Sequence, residues 1–210
     1  MRVNEFFDHV FVINLRRRFD RLIQITKELE NHNIEAEVIE AIDGNDLVLP
    51  EIISSDGLKP SNGDIACSLS HSKVCKLAKE RGYKNYLCLE DDCMFSENFE
   101  DKFTNYITQV PADWGFLYIG GSINCEQVSV ISDNIVEAVD VFTTHAMGVR
   151  EDVYDDLINL WEQRNEKVDL CVAQLQKKYK TYCFNPFLIG QKPSYSDILN
   201  KYTDYKHLRV

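Results

Sequence analysis

The sequence has no C-x-x-C pair among its seven cysteines, no apolar stretch of membrane-spanning length, no repeat and no low-complexity tract. The first absence removes support for a zinc knuckle or a thioredoxin-like motif. The second removes support for a spanning helix. An odd cysteine count excludes complete internal pairing, and most of these residues sit among apolar neighbours, where cysteine acts as a small buried hydrophobe. A reducing setting is therefore expected. Met1-Arg2-Val3-Asn4-Glu5 carries no signal-peptide apolar region, so a cytoplasmic location is expected as well. Positive charge is in the minority, with 23 Lys and Arg against 34 Asp and Glu, a net charge of −11. That balance disfavours nucleic acid and anionic membranes as partners. Neither G-x-G-x-x-G nor G-x-x-x-x-G-K-[ST] occurs, which leaves a nicotinamide or P-loop reading without support. No spacing spells out a Ser or Cys nucleophile beside a base, so a triad hydrolase is not indicated.

What is present fits one domain of 210 residues, 44% hydrophobic and 27% charged. Strands are expected at His9 to Leu15, Glu35 to Ile42 and Tyr86 to Leu89, and at Trp114 to Ile119, stopped by Gly120-Gly121. A helix is expected from Arg17 to Asn31 with Phe19, Leu22, Ile23 and Leu29 on one face. Another is expected from Asp64 to Arg81, capped by Ser61 or Asn62 and closed at Gly82. Residues 45–60 read as loop with a short helix, and a further helix is expected near Glu97 to Gln109. Gln127 to Ile131, Val136 to Phe142 and Ala146 to Val149 read as an antiparallel region. Helices near Asp152 to Gln163 and Val168 to Lys178 and a strand at Thr181 to Phe184 follow. Gly190 to Val210 reads as a polar segment with scattered aromatics that either wraps the core or leads into further domains. Alternating strands and helices predict an α/β fold whose first half is mostly parallel, with ligands bound beyond the carboxyl ends of the strands. Asn14, the acidic run at 90–92 and Gly120-Gly121 all stand at such ends.

Glu90-Asp91-Asp92 closes the apolar run Tyr86-Leu87-Cys88-Leu89. Three adjacent carboxylates repel, more so beside an apolar strand, and a divalent cation relieves that repulsion. Strand alternation puts Glu90 and Asp92 on one face as hard-oxygen ligands and Asp91 on the other. A solvated acidic turn is the alternative. Arg16, Arg17, Arg18 and Arg21 crowd the turn from the first strand into the first helix. A helix N-terminus already favours anions, so a phosphate or diphosphate would satisfy this cluster. Pairing with surface acids such as Asp20 or Glu28 is the alternative. A cation site and an anion site on one rim suggest a metal–diphosphate ligand, of which nucleotide sugars are one class.

The chain resembles glycosyltransferase family 25. The resemblance rests on Val10-Phe11-Val12-Ile13-Asn14-Leu15 with Arg18 and Asp20-Arg21, on Ala41-Ile42-Asp43-Gly44, on Asn62-Gly63-Asp64-Ile65-Ala66-Cys67-Ser68-Leu69-Ser70-His71, on Leu89-Glu90-Asp91-Asp92, on Thr144-His145-Ala146 and on Ser196-Asp197-Ile198. It runs in order over nearly the whole chain. Asp64, Ala66 and Met147 depart from the usual Glu, Gly and aromatic residue of the family pattern.

The resemblance implies a GT-A fold in a single domain: a Rossmann-like nucleotide-binding half over about 1–125 with a mixed central sheet, and a smaller acceptor-side half over about 126–210. It implies an inverting, Mn²⁺- or Mg²⁺-dependent hexosyltransferase of glycan biosynthesis, moving sugar from a UDP-sugar to a hydroxyl of a glycan or glycoprotein. Asp92 is then the firmest metal ligand, with Glu90 its partner. Asn14, Leu15, Arg18, Arg21, Ala41, Asp43, Gly44, His71, Asp91 and Gly120 line the donor side. Inversion needs a base. Asp169, expected to stay ionised at a helix N-terminus, is the first choice, an ordinary N-terminal helix acid being the alternative, and Asp197 is its rival as base or third metal ligand. His145, on an expected strand after two threonines, is a candidate to face the cleft. A nucleotide-sugar-binding module without catalysis and a metal-dependent phosphohydrolase are the competing readings.

Overall fold

A computed structural model describes residues 1–49 and 53–210; positions 50–52 of the loop expected over 45–60 lie outside the described residues. The chain opens with α1 (Val3–Phe6), β1 (His9–Asn14), α2 (Phe19–Asn31) and β2 (Glu37–Glu40). A 3₁₀ turn at Gly44–Asp46 supplies the short helix of the loop. Then come α3 (Asn62–Glu80), β3 (Asn85–Glu90), β4 (Cys93–Phe95), α4 (Phe99–Ile107) and β5 (Phe116–Ile123). β6 (Ser129–Val130), β7 (Ile135–Glu137) and β8 (Val141–Arg150) lead to α5 (Tyr154–Glu162) and α6 (Val168–Gln176). β9 (Thr181–Phe184), β10 (Ile189–Gln191), β11 (Ser194–Ser196) and β12 (Lys201–Thr203) complete the order.

Eight strands form one mixed sheet, ordered β2-β1-β3-β8-β5-β9-β7-β6. β1 pairs in parallel with β2 and β3, and β5 with β9, while β8 runs antiparallel between β3 and β5. The α/β expectation with a mixed central sheet is met. Ala146 to Val149, expected as a strand of an antiparallel region, is part of β8, which runs antiparallel to both neighbours and lies in the middle of the sheet. Periodicity reports a strand's burial, and its neighbours are set by pairings distant in sequence.

Alternation in the central strands divides the core. Phe11, Ile13, Tyr86 and Cys88 pack with α3, α5 and α6 residues such as Val74, Leu157 and Val172. Val10, Val12, Leu87 and Leu89 pack the other way, with Ile25, Leu29, Phe99 and Phe103. Each face is thus covered by helices, as a sheet apolar on both sides requires. α3 starts at a capping box in which Ser61 Oγ accepts from the Asp64 amide and Asp64 returns a bond to the Ser61 amide. It ends before Gly82, at φ +71°, a conformation glycine adopts without strain.

Two local expectations fail. On α2, Phe19 and Ile23 are 65% and 56% exposed, and the buried stripe is Ile25 and Leu29 with Leu22 beside it. Both stripes have helical spacing, so spacing alone does not choose between them. β5 does not stop at Gly120-Gly121 but runs through to Ile123. A Cβ on Gly120 would lie 2.0 Å from the Ile189 carbonyl oxygen. The glycine is there because β10 crosses that point, and the strand continues past it. β10 pairs with β4, and a Cβ on Gly190 would meet the Leu208 carbonyl at 2.0 Å. Residues 189–208 therefore wrap the core as expected.

Candidate functional site

β1 and β3 point the same way, so Asn14 and Glu90 end on one edge of the sheet. A cavity of about 800 Å³ opens there, within the range of ordinary ligand sites. Its floor holds Glu90, Asp91 and Asp92; one wall holds Leu15, Arg17, Arg21, Ala41, Asp43 and Gly44. The other walls come from α3 (Cys67, His71), from Thr143, Thr144 and Asp169, and from the segment 195–200 with Asp197.

Strand parity explains how the triplet divides. Glu90 continues the Tyr86–Cys88 face toward α3, where its Oε1 accepts from Thr144 Oγ1 at 3.0 Å and lies 3.4 Å from His71 Nε2. Asp91 continues the other face. It accepts from Asn14 Nδ2 at 2.7 Å and Arg21 at 2.8 Å. Asp92 lies two residues beyond the strand's last residue and escapes the alternation. It accepts from Gln191 Nε2 at 3.2 Å and lies 3.3 Å from Arg21. The expected Glu90–Asp92 face is thus replaced by a floor on which Asp91 and Asp92 share one guanidinium and Glu90 faces α3.

The electrostatics follow from this division. Burial first, then the Glu90 charge, push the Asp92 carboxyl up to about 7, with Arg21 opposing. Asp91 is also raised, mainly by burial. Burial works against the Glu90 charge too, yet His71, His145 and Thr144 together leave its pKa lowered. One arginine serves two buried carboxylates, and its own Nε is buried without a partner.

The arginine turn is already satisfied by carboxylates. Arg17 pairs with Asp43 at 2.6 Å and with Asp197. Arg18 pairs with Asp20 at 2.9 Å and Asp197 at 2.5 Å. Arg21 also donates to Ser194 Oγ at 2.7 Å and to the Tyr195 carbonyl at 2.9 Å. Asp197 therefore occupies the anion position that these arginines create and pins the 194–198 segment over the cleft. The alternative of pairing with acids is what Arg17 and Arg18 show: Asp20 and Asp43 from nearby and Asp197 from far along the chain stand where a diphosphate was expected.

Asp169 stands in the first turn of α6, yet it is not held ionised there. Burial, then the charge of Glu90, push its carboxyl up to about 7. Its Oδ1 has no partner. Desolvation outweighs the helix N-terminus. Beside it Thr143 sits at φ +65°, an outlier for a β-branched residue, where β8 shifts register against β5. Such strain tends to gather at working sites.

Three expected site residues lie off the cavity wall. Asn14 holds Asp91 from behind, and its carbonyl accepts from the Ala41 amide at 2.8 Å. Arg18 acts through Asp197. Gly120 lies under β10, with its missing Cβ also 2.5 Å from His145 Nε2. His145 itself is fully buried, with Nε2 on the Ile189 carbonyl and Nδ1 on Thr143 Oγ1, both at 3.1 Å, so it faces the core and not the cleft. Sequence reasoning missed Gln191, Thr143 and Lys167. Gln191 sits on a three-residue strand with no periodic signal. Cys67 belongs to the 62–71 motif and lines the cavity. Among the described residues, one trio of possible metal-ligand atoms lies within 4.8 Å of one another: those of Cys67, His71 and Glu90.

Comparison with known proteins places the chain in a family. Residues 7–132 match the family described as "Glycosyltransferase family 25 (LPS biosynthesis protein)". Human "Procollagen galactosyltransferase 2" is 34% identical over 129 residues, 54% of this chain and 21% of that protein. Human "Inactive glycosyltransferase 25 family member 3" is 30% identical over 129 residues, 54% of this chain and 22% of that protein. The chain thus spans about one fifth of the length of these relatives. A solved glycosyltransferase involved in glycosylation of the major capsid of PBCV-1 aligns at a TM-score of 0.44 and 12% identity, over 75% of this chain and 66% of that one. The match to the family covers well over half the sequence and includes the β1 edge, the α3 face and the acidic floor of the cavity: the chain belongs to glycosyltransferase family 25.

Proposed function

We propose that this chain is an active, cation-dependent, inverting hexosyltransferase that takes sugar from a UDP-sugar and delivers it to a hydroxyl of a glycan or glycoprotein. The observation that carries the reading is the composition of the 800 Å³ cavity, where Glu90, Asp91, Asp92, Asp169 and Asp197 meet around Arg17 and Arg21. An excess of buried carboxylate, with Asp92 pushed up to about 7, is what a divalent cation would relieve. Asp92 on the floor, with Glu90 reaching its field from the α3 side, offers carboxylate oxygens that would suit Mn²⁺ or Mg²⁺ completed by a diphosphate and water. Bound there, the cation would stabilise negative charge on the departing diphosphate.

The protein's own groups do the rest. Leu15, Ala41, Asp43 and Gly44 form the edge on which the nucleoside rests. Ser70 Oγ fixes that edge by accepting from the Ile42 amide at 2.9 Å. Arg21 and Asn14 hold Asp91 for the ribose or the sugar. Asp169 takes the acceptor hydroxyl proton as the acceptor oxygen bonds to the anomeric carbon. The bond from that carbon to the diphosphate oxygen breaks with its electron pair on the oxygen, and the configuration inverts. An orphaned carboxylate oxygen with a pKa near working pH suits a base. Asp197, committed to Arg17 and Arg18, positions the lid. Seven free cysteines, five of them buried, support a reducing, cytosolic setting, and among the described residues no helix is long and apolar enough to cross a membrane.

Calorimetric titration of UDP-sugars with and without Mn²⁺ tests the reading. Cation-dependent binding of one donor, with sugar transferred to an added acceptor, is the expected result. Binding without transfer would mark a binding module, as the 30%-identical inactive relative suggests. No cation dependence would sink the assignment of Glu90 and Asp92.

Asp169→Asn has a distinctive expected signature. Turnover falls by about 10²- to 10⁴-fold, and the rise of activity through about pH 7 disappears. Stability moves the other way. The folded pKa is raised, so the native state binds more protons than the unfolded one between about 4 and 7, and stability falls as pH rises through that window. Asn removes that penalty, so the variant should melt higher than wild type at pH 8, by roughly 3 °C or more, and equally at pH 4. A variant that loses activity and also melts lower at pH 8 would make Asp169 structural.

A further inference from the structure

We propose that Cys67, His71 and Glu90 form a second cation site, of the zinc class, on the α3 side of the cavity. Cys67 and His71 are four residues apart on α3 and so share one face of the helix. Both line the cavity. Glu90 reaches them from the end of β3, and the three ligand atoms lie within 4.8 Å of one another. No other trio among the described residues converges in this way.

The donor set decides the metal. Sulfur, imidazole nitrogen and one carboxylate oxygen are a poor match to Mg²⁺ or Mn²⁺ and a good match to Zn²⁺ or Co²⁺. Three protein ligands with the fourth direction open to a cavity are the arrangement of an accessible zinc site. The surroundings hold two of the ligands in place. Thr144 Oγ1 donates to Glu90 Oε1 at 3.0 Å, and the His71 ring packs on Trp161 with centroids 5.8 Å apart. Support of this kind behind the ligands is typical of a metal centre. Binding exchanges the Cys67 S–H bond for an S–metal bond and releases one proton to water.

Glu90 belongs to both sites. On the reading above, zinc held by Cys67 and His71 draws Glu90 away from the donor cation, and Zn²⁺ opposes Mn²⁺. The site itself does not depend on that reading.

Titration of the whole chain with Co²⁺, followed by absorption, tests the proposal. The expected result is a thiolate-to-cobalt charge-transfer band in the near ultraviolet, with the strong visible bands of a tetrahedral centre. Cys67→Ser should abolish the charge-transfer band. Thr144→Val should keep it but weaken Co²⁺ binding by about 10- to 100-fold. Melting curves of each metal-free variant confirm that the fold is retained, and His71→Gln, expected to lose tetrahedral character, serves if Cys67→Ser does not fold. No band in wild type, or a band that survives in Cys67→Ser through another thiol, overturns the site. Mn²⁺-dependent UDP-sugar binding by the same samples is a separate readout. A missing cobalt band with intact donor binding fails the zinc site alone; a present band without donor binding fails the transferase reading alone.

Discussion

Asp92→Asn is expected to reduce sugar transfer by about a thousandfold, the equivalent of several kcal/mol of charge stabilisation at the leaving group. It should also abolish the Mn²⁺ dependence of donor binding. The fold should not suffer. Asp92 is buried, its carboxyl is pushed up to about 7 by burial and by Glu90, and it shares one guanidinium with Asp91. Asn keeps an oxygen for the Gln191 amide, 3.2 Å away from Asp92 Oδ1, and removes one of two buried negative charges. The metal-free variant should therefore melt at or above wild type at pH 8, where the wild-type carboxyl is ionised, and show no such gain at pH 4. Loss of activity together with a gain in stability is the mark of a residue retained for chemistry at the expense of the fold. Full activity in Asp92→Asn would remove this residue from the site.

The second large effect belongs to a residue that touches no ligand. Gly120→Ala should lower stability by at least about 3 kcal/mol, a fall in melting temperature of roughly 6 °C or more, with much of the protein insoluble. The new methyl carbon would stand 2.0 Å from the Ile189 carbonyl oxygen and 2.5 Å from His145 Nε2. Those two atoms are hydrogen-bonded to each other at 3.1 Å, so neither can retreat without breaking that bond. β10 must lift instead, taking Gln191 off Asp92. Gly121→Ala is the control. Its Cβ meets a side-chain atom, Tyr118 Cδ1, at 2.9 Å, and a ring can turn where a backbone carbonyl cannot. Gly121→Ala should cost clearly less. Equal losses for the two would mean that the β10 crossing is not what Gly120 protects.

The parts of the fold readable from sequence were those written locally. β1 and β3 are short apolar runs, and α3 announces both ends through the Ser61 cap and Gly82. The parity rule separated Glu90 from Asp91 for the same reason: both lie on, or one step past, a regular strand. It misplaced Asp92 because the strand ends at Glu90. The arginine turn was legible as a cluster and illegible as a network. Its main partner, Asp197, lies 180 residues from Arg17, and nothing near residue 17 records that. Asp169 shows the same limit. Its place in the first turn of a helix is local information, whereas its burial and its exposure to the Glu90 charge arise only when α6 packs under β8. His145 and Gly120 misled together, because the β10 crossing that buries both is made by three residues without a pattern of their own.

The clasp of Asp197 on Arg17 and Arg18 also orders events in time. On a growing chain the four arginines of the turn emerge early, and the segment that pairs with Arg17 and Arg18 is made about 180 residues later. Loop-closure entropy grows only with the logarithm of length, about 0.6 kcal/mol per doubling. The long separation therefore costs the finished protein little, while long-range pairing slows its formation. Until residues 194–198 arrive, Arg17 and Arg18 have only Asp43 and Asp20 as partners, and the cleft lacks the segment that covers it. The site is complete only once residues 194–198 have been made and have closed on Arg17 and Arg18.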